Sequence, residues 1–376
     1  MSPWTSPLRA LLPAAALLAL GAASGPAQDL LLRDFRPRSM LRVPAHEVLR
    51  ARFPAVDFHN HAGDAHERGP SPPPAELVAL MDRLNLRTLV ILTGAWGERL
   101  QRVIDERVKP YPGRFVVFTE PDWSRIDEPD FGERMAAQVR DAVSRGARGL
   151  KVKKELGLRV RDRGGRLVTV DDPRLDPMWA ECGRLGIPVA IHVSDPDAFF
   201  EPVDAANERY DELMEHPDWS FHGPGFPSKA SILEARDRVF ARHPGTTFVA
   251  LHVANRPEDL EAAGAVLDRH PNVLTETGAR QAELGRQPRR AREFFLRHQD
   301  RILFGTDHGP SEGMYRSWFR WLETADEHFD YWNAPAQGRW TIYGLDLPPE
   351  VLAKVYRGNA ERLFARYKGV SPGPGP

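Results

Sequence analysis

Val56-Asp57-Phe58-His59-Asn60-His61 reads as the end of a buried β-strand that delivers two imidazoles to one place. Alternate residues of a strand face the same side. His59 and His61 therefore point together, and Asp57 with them, while Val56 and Phe58 point the other way, toward outer helices. Two imidazoles at i and i+2 on the carboxyl end of a strand are placed to share one metal ion.

Three further apolar runs end in the same manner. Residues 187–192 close on His192, residues 247–252 on His252 and residues 302–307 on Asp307. Each terminal residue can bind a metal or move a proton. Ionisable groups inside a barrel are costly unless paired or metal-bound. Four such ends together therefore point to a shared site better than to separate structural histidines.

These runs belong to a longer rhythm. Residues 55–61, 87–93, 114–119, 149–154, 187–193, 246–252, 272–277 and 301–306 are eight strand candidates. Most are followed by stretches of helical period, such as 75–86 and 131–145. Alternation of this kind predicts an α/β chain with parallel strands. Eight repeats favour a closed (β/α)8 TIM barrel over an open doubly wound sheet. No GxGxxG or GxxxxGK[ST] turn follows the first strand, which removes support for nucleotide binding of those kinds. Two insertions interrupt the rhythm. Residues 157–170 suggest a hairpin around Gly164-Gly165. Residues 195–228 follow strand five and are rich in Pro, Asp and aromatics. Loops after barrel strands build the active face, so this insertion is a candidate lid or pocket wall.

Strands four and seven add charged groups. With Leu150 and Val152 facing outward, Lys151 and Lys153 point inward. An inward lysine suits an anionic substrate or, once carboxylated, a second metal. If Val273, Thr275 and Thr277 face the helices, Glu276 faces the site. Arg280 follows in the next loop and suits a substrate carboxylate. Trp96, Trp123, Phe199, Phe200, Tyr210 and Trp219 lie in loops at the mouth, where they either meet a partly apolar ligand or pack the loops onto the barrel.

Composition narrows the class. The chain has 376 residues, with 51 Lys and Arg against 52 Asp and Glu. A net charge of -1 gives no electrostatic footprint for nucleic acid or an anionic membrane. The single Cys182 forms no intramolecular disulfide and reads as a small buried helix residue. Residues 1–28 combine Arg9, an apolar run over 11–23 and small residues at Ala22, Ser24, Gly25 and Ala27, the pattern of a signal peptide. The expected organisation is that leader, an approach segment over 29–54, a barrel over 55–368 and a flexible tail over 369–376. The expected product is exported, periplasmic or secreted, without a stable membrane anchor, and acts on a small-molecule substrate. A homo-oligomer is compatible with this reading.

The order HxH on strand one, His on strand five, His on strand six and Asp on strand eight resembles the amidohydrolase superfamily. Residues 302–307 and Gly358-Asn359-Ala360-Glu361-Arg362-Leu363-Phe364 are similar to the final strand and closing helix of its amidohydrolase-related branch. That branch includes aminocarboxymuconate-semialdehyde decarboxylase, and the likeness spans residues 55–366. The resemblance implies that His59, His61, His192 and Asp307 ligate one divalent ion; nitrogen and carboxylate ligands suit Zn²⁺, and also Mn²⁺ or Fe²⁺. It implies an acid/base role for His252. Binuclear relatives use a carboxylated lysine on strand four, so Lys153 leaves a second metal open, although the closing motifs favour one.

Three functions are weighed on this basis. The first expectation is hydrolysis of a small amide, ester or lactone, in which the metal lowers the pKa of its water toward about 7. Asp307 takes the proton and His252 assists the developing oxyanion. The rival is non-oxidative decarboxylation of an aromatic or unsaturated acid, with His252 or Asp307 protonating the carbon that loses CO₂. The third is a non-catalytic, metal-containing binding barrel.

Overall fold

Parallel strands run in sequence order around the molecule, in a computed structural model that describes residues 30–31, 34–62 and 72–367. The expected leader at 1–28 and tail at 369–376 lie outside the described residues. The chain divides into two units between Arg42 and Val43. The described residues of the first are exposed and mostly irregular. Every element named below belongs to the second. That unit begins ahead of residue 55: the Ala51 amide donates to Leu84 O at 3.1 Å, and Asp326 accepts the His46 amide at 2.7 Å.

One sheet contains β1 (Ala55–Asn60), β2 (Leu86–Ile91) and β3 (Phe115–Val117). A second contains β4 (Leu150–Val152), β5 (Val189–Ile191), β6 (Phe248–Ala250), β7 (Val273–Glu276) and β8 (Ile302–Leu303). Two thin seams join them. Between β3 and β4, Thr119 N donates to Gly149 O at 2.9 Å and Lys151 N to Thr119 O at 2.7 Å. Between β8 and β1, Phe58 N donates to Phe304 O at 2.9 Å and Asp307 N to His59 O at 2.7 Å. The eight strands thus form a (β/α)8 TIM barrel. A helix follows each strand: α1 (Pro74–Leu84), α2 (Gly97–Val103), α3 (Phe131–Arg145), α4 (Asp176–Leu185), α5 (Lys229–Arg242), α6 (Leu260–Arg269), α7 (Pro288–Arg297) and α8 (Glu312–Glu323), with α9 (Asn359–Phe364) closing the chain. Local chemistry starts them. Ser228, Asp259 and Ser311 accept backbone N–H groups at the beginnings of α5, α6 and α8, which satisfies donors a helix leaves open.

The strands are short and buried on both faces, so they read as continuous apolar runs. One face packs under the helices: Leu150, Val152, Val189, Phe248 and Val273 belong to the outer core. The other fills the barrel with Val90, Leu92, Phe118, Ala190, Val249, Leu274 and Leu303. Ala360 and Leu363 of α9 join this inner cluster, and Asn359 anchors the helix by donating to Ile302 O at 2.6 Å.

β1 departs from the expected alternation. Val56 and Phe58 belong to the inner cluster, not to the helix-facing side. Asp57 points away from the barrel axis and accepts a hydrogen bond from Tyr315 of α8 at 2.7 Å. The register against β2 slips between Asp57 and Asn60. The extra residue of this bulge lets Phe58 and His59, adjacent in sequence, both face inward.

Both insertions are folded. Residues 157–170 form a minimal hairpin with an antiparallel bridge between Arg161 and Leu167. The turn runs through Gly165 at φ 79°, a conformation that favours glycine. In 195–228 the Trp219 ring stacks on His216 at 4.0 Å and Phe199 at 6.3 Å. Trp123 stacks on Phe131. Most mouth aromatics therefore pack loops, while Trp96 and Tyr210 remain exposed. Cys182 is buried on α4. Among the described residues no helix is long and apolar enough to cross a membrane.

Candidate metal centre

The carboxyl ends of β1, β6 and β8 converge. His61 Nε2 lies 2.6 Å from Asp307 Oδ1 and His59 Nε2 lies 3.2 Å from the same oxygen. His59, His252 and Asp307 each offer a ligand atom within 4.8 Å of the others. The His252 ring stands 5.0 Å from the His59 ring and 4.2 Å from the His192 ring. The five strand-end residues named from the sequence therefore meet at one place. His192 turns its Nε2 toward Asp195 Oδ1, at 3.2 Å. Of the five it is His252, rather than His192, that joins His59 and Asp307 in the tightest group.

Backbone conformation aims two of these side chains. Asp307 has φ 58°, and His252, Val253, Ala254 and Asn255 form a run of left-handed residues at φ 57°, 57°, 54° and 55°. Such conformations cost roughly 1–2 kcal/mol per non-glycine residue, so the surroundings must impose them. They do. His252 N donates to Glu276 Oε1 at 2.7 Å, Ala254 N to Thr275 Oγ1 at 2.8 Å, Arg236 Nη1 to Ala254 O at 2.6 Å and Asn255 Nδ2 to Ser194 O at 2.6 Å.

Glu276 faces the site, as the period of strand seven predicts. It also receives His59 Nδ1 at 3.2 Å and the Gly278 amide, so one carboxylate fixes two of the converging histidines. Burial pushes its carboxyl up to about 7. Burial pushes the His59 and His252 imidazoles well below their ordinary value, leaving both neutral. His252 Nδ1 lies 2.8 Å from Gly278 O, which assigns the proton to Nδ1 and the lone pair to Nε2. That Nε2, like His61 Nδ1, is buried without a hydrogen-bond partner. An orphaned His252 Nε2, in a group with His59 and Asp307 whose ligand atoms lie within 4.8 Å of one another, fits a divalent ion bound through nitrogen and oxygen.

The two lysines separate. Lys151 is buried, and its Nζ lies 3.4 Å from His59 Nε2. Burial pushes it down to about 8 against the opposing pull of Asp307 and Glu276. Lys153 sits past the end of β4, is partly exposed and pairs with Glu120 at 3.2 Å. The lysine brought to the histidines is thus Lys151, because only it shares the inward register line with Ala190. Arg280 is buried; its Nη1 donates to Ala279 O at 2.9 Å and its Nε has no hydrogen-bond partner.

Asp195 was legible only as the first residue of an insertion. It accepts Lys154 Nζ at 2.5 Å as well as facing His192. Burial opposes its ionisation, but the Lys154 and His192 contacts outweigh it and hold the carboxyl well below its usual range. An acid three residues beyond a strand-end histidine is the signal that sequence offered for it.

This geometry accords with what the chain resembles. Similar solved structures include an uncharacterised TIM-barrel protein from Bordetella bronchiseptica, at 19% identity over 84% of this chain and 99% of that one, with a TM-score of 0.52. The 2,6-dihydroxybenzoate decarboxylase from Rhizobium matches at 18% identity over 83% and 99%, with a TM-score of 0.52. A dihydroxybenzoic acid decarboxylase from Polaromonas, solved with manganese and 2-nitroresorcinol, matches at 17% identity over 80% and 88%, with a TM-score of 0.50. At these identities the likeness establishes the fold. No curated protein matches the chain. The family model described as Amidohydrolase matches residues 5–366, and the chain belongs to that family.

Proposed function

We propose that the chain is a metal-dependent, non-oxidative decarboxylase of a small aromatic or unsaturated carboxylic acid. The observation that carries this reading is the buried Arg280, two residues past Gly278, whose carbonyl oxygen lies 2.8 Å from His252 Nδ1. A buried cation in this loop suits a substrate carboxylate better than a plain ester or amide. The decarboxylases among the similar structures, one of them solved with manganese, support the same choice.

His59, His61 and Asp307 would hold a divalent ion, Mn²⁺ or Zn²⁺, with His192 or His252 completing the set. When bound, the ion supplies Lewis-acid polarisation of substrate oxygens. The chain's own groups do the rest. Arg280 orients the acid. The carbon–carboxylate bond breaks, CO₂ leaves without the bonding electrons, and the carbon takes a proton from Asp307 in its protonated form, which regains one from solvent after product leaves. Glu276 holds His59 and His252 in place, and the packed barrel below excludes water. A second reading, hydrolysis of an ester, amide or lactone, is favoured by Asp307 Oδ1 standing 2.6 and 3.2 Å from two imidazoles, where it can take a proton from water. We also propose export, on the strength of residues 1–28; the mature amino terminus of secreted protein tests it.

Metal analysis of purified protein with a two-sided substrate panel tests the function. CO₂ release from hydroxybenzoates or unsaturated acids, lost on chelation, is the expected result. Turnover of esters, amides or lactones with no CO₂ from any acid would install the hydrolytic reading. Full activity after metal removal would end both. Arg280→Met should lower kcat/KM for the acid by roughly 10–150-fold, the value of a charge-assisted hydrogen bond of about 1.5–3 kcal/mol.

A further inference from the structure

The barrel closes weakly where its chemistry is concentrated. β8 contains only Ile302 and Leu303, and beyond it the first and last strands are joined by an isolated bridge, Asn60 to His308, and by three main-chain bonds, Phe58 N to Phe304 O at 2.9 Å and Thr306 N and Asp307 N to His59 O at 3.3 and 2.7 Å. No continuous ladder sets the distance between His59 and His61 on one side of this seam and Asp307 on the other. A buried carboxylate spans it in addition to these few main-chain bonds. Asp57 Oδ1 accepts the His59 amide at 3.2 Å and the Thr306 amide at 3.1 Å. Asp57 Oδ2 accepts Asn60 Nδ2 at 2.9 Å, Thr306 Oγ1 at 2.7 Å and Tyr315 Oη at 2.7 Å. Two of these donors belong to Thr306, immediately before Asp307, and one belongs to His59 itself. Asn60 extends the span, donating also to His308 O at 3.2 Å.

We infer that Asp57, locked by Tyr315 of α8, is the positioning residue that sets the spacing between the HxH pair and Asp307, and so the affinity of the centre for its ion. Asp57 touches no substrate and no ligand atom; it acts through the backbone on either side of the seam. Its outward orientation, produced by the β1 bulge, is what lets it reach both strand ends and α8 together. The inference rests on the metal-centre reading above.

The test compares metal binding by full-length variants, using Mn²⁺ and Zn²⁺ titrated against a chelating dye, with the melting temperature of each metal-free protein. Tyr315→Phe deletes one of the five bonds to Asp57, and Asp57→Asn removes the charge that gathers them. Thr246→Val serves as the control. It deletes one buried hydroxyl bond, from Thr246 Oγ1 to Trp179 O at 2.8 Å, before the amino end of β6 and away from the centre. Loss of a group supporting metal ligands typically costs about 10–100-fold in affinity. Asp57→Asn should fall in that range. Tyr315→Phe should weaken binding several-fold while melting close to Thr246→Val, and Thr246→Val should bind as wild type does. Co²⁺-substituted Tyr315→Phe should show altered visible bands, a signature that general loosening would not produce. Should Asp57→Asn fail to fold, Tyr315→Phe decides alone. Affinity within twofold of wild type in Tyr315→Phe, or equal losses in Tyr315→Phe and Thr246→Val, overturns the inference. Wild-type protein that binds neither ion overturns the metal-centre reading, a different result, and the inference falls with it.

Discussion

Glu276→Gln separates stability from metal binding. Glu276 is fully buried and receives the His252 amide at 2.7 Å, the Gly278 amide and His59 Nδ1 at 3.2 Å. Glutamine fits the space but turns one acceptor into a donor. At least one N–H is left unpaired, at a cost of about 1–3 kcal/mol. An opposing effect is of similar size. Burial pushes the carboxyl from 4.5 up to about 7. A rise of about 2.5, at 1.36 kcal/mol per unit, amounts to about 3 kcal/mol of penalty on the ionised form. Between pH 4.5 and about 7 the native state keeps a proton that the unfolded chain has released, so stability falls as pH rises through this window. The amide carries no such penalty. At pH 8 the metal-free variant should therefore melt within a few degrees of wild type, and at pH 5 it should melt lower. Metal affinity should drop about 10–100-fold at pH 8, because His59 loses the carboxylate that orients it and raises its basicity, and less at pH 5, where the wild-type carboxyl is itself protonated. Calorimetry of metal-free protein at the two pH values, paired with chelator-competition titrations, measures both arms. Wild-type metal affinity in the variant at pH 8 would refute the reasoning.

Phe58→Ala should cost about 3–5 kcal/mol, read as a fall in melting temperature, because the ring lies inside the barrel against Phe118 at 5.6 Å and Phe364 at 6.1 Å. Asp326 accepts His46 Nδ1 at 2.5 Å and Arg320 Nε at 2.6 Å; these bonds outweigh burial and hold its carboxyl below the ordinary value. Its contribution is present above about pH 4 and lost as pH falls through the folded value, so Asp326→Asn should flatten the acid limb of a stability–pH curve. An unchanged limb would contradict that assignment.

Strand positions and the converging strand ends were legible because burial on both faces leaves uninterrupted apolar runs whose polar termini stand out. Glu276 was placed correctly by simple alternation along β7, where no register slip intervenes. The same rule failed on β1. A bulge leaves no mark in Val56-Asp57-Phe58-His59, so Asp57 was read inward and Phe58 outward. Lys151 and Lys153 look equivalent by period, yet only Lys151 lies within the strand, and the strand's end is set by pairing with β5. The pairing of Asp57 with Tyr315 spans 258 residues and has no local signal. The left-handed run from His252 to Asn255 is equally silent, since four buried partners impose it on residues that prefer other conformations.

The uneven sheet has a mechanical consequence. Three strands form one arc and five the other, and each arc is a continuous ladder while the joints between them are not. His59 and His61 ride on the shorter arc; His192, His252 and Asp307 ride on the longer. An ion gripped from both sides would work as a rivet across the β8–β1 joint. Depleting it would then do more than silence chemistry: it would loosen the β8–β1 joint, making metal supply a determinant of how long the folded chain survives proteolysis.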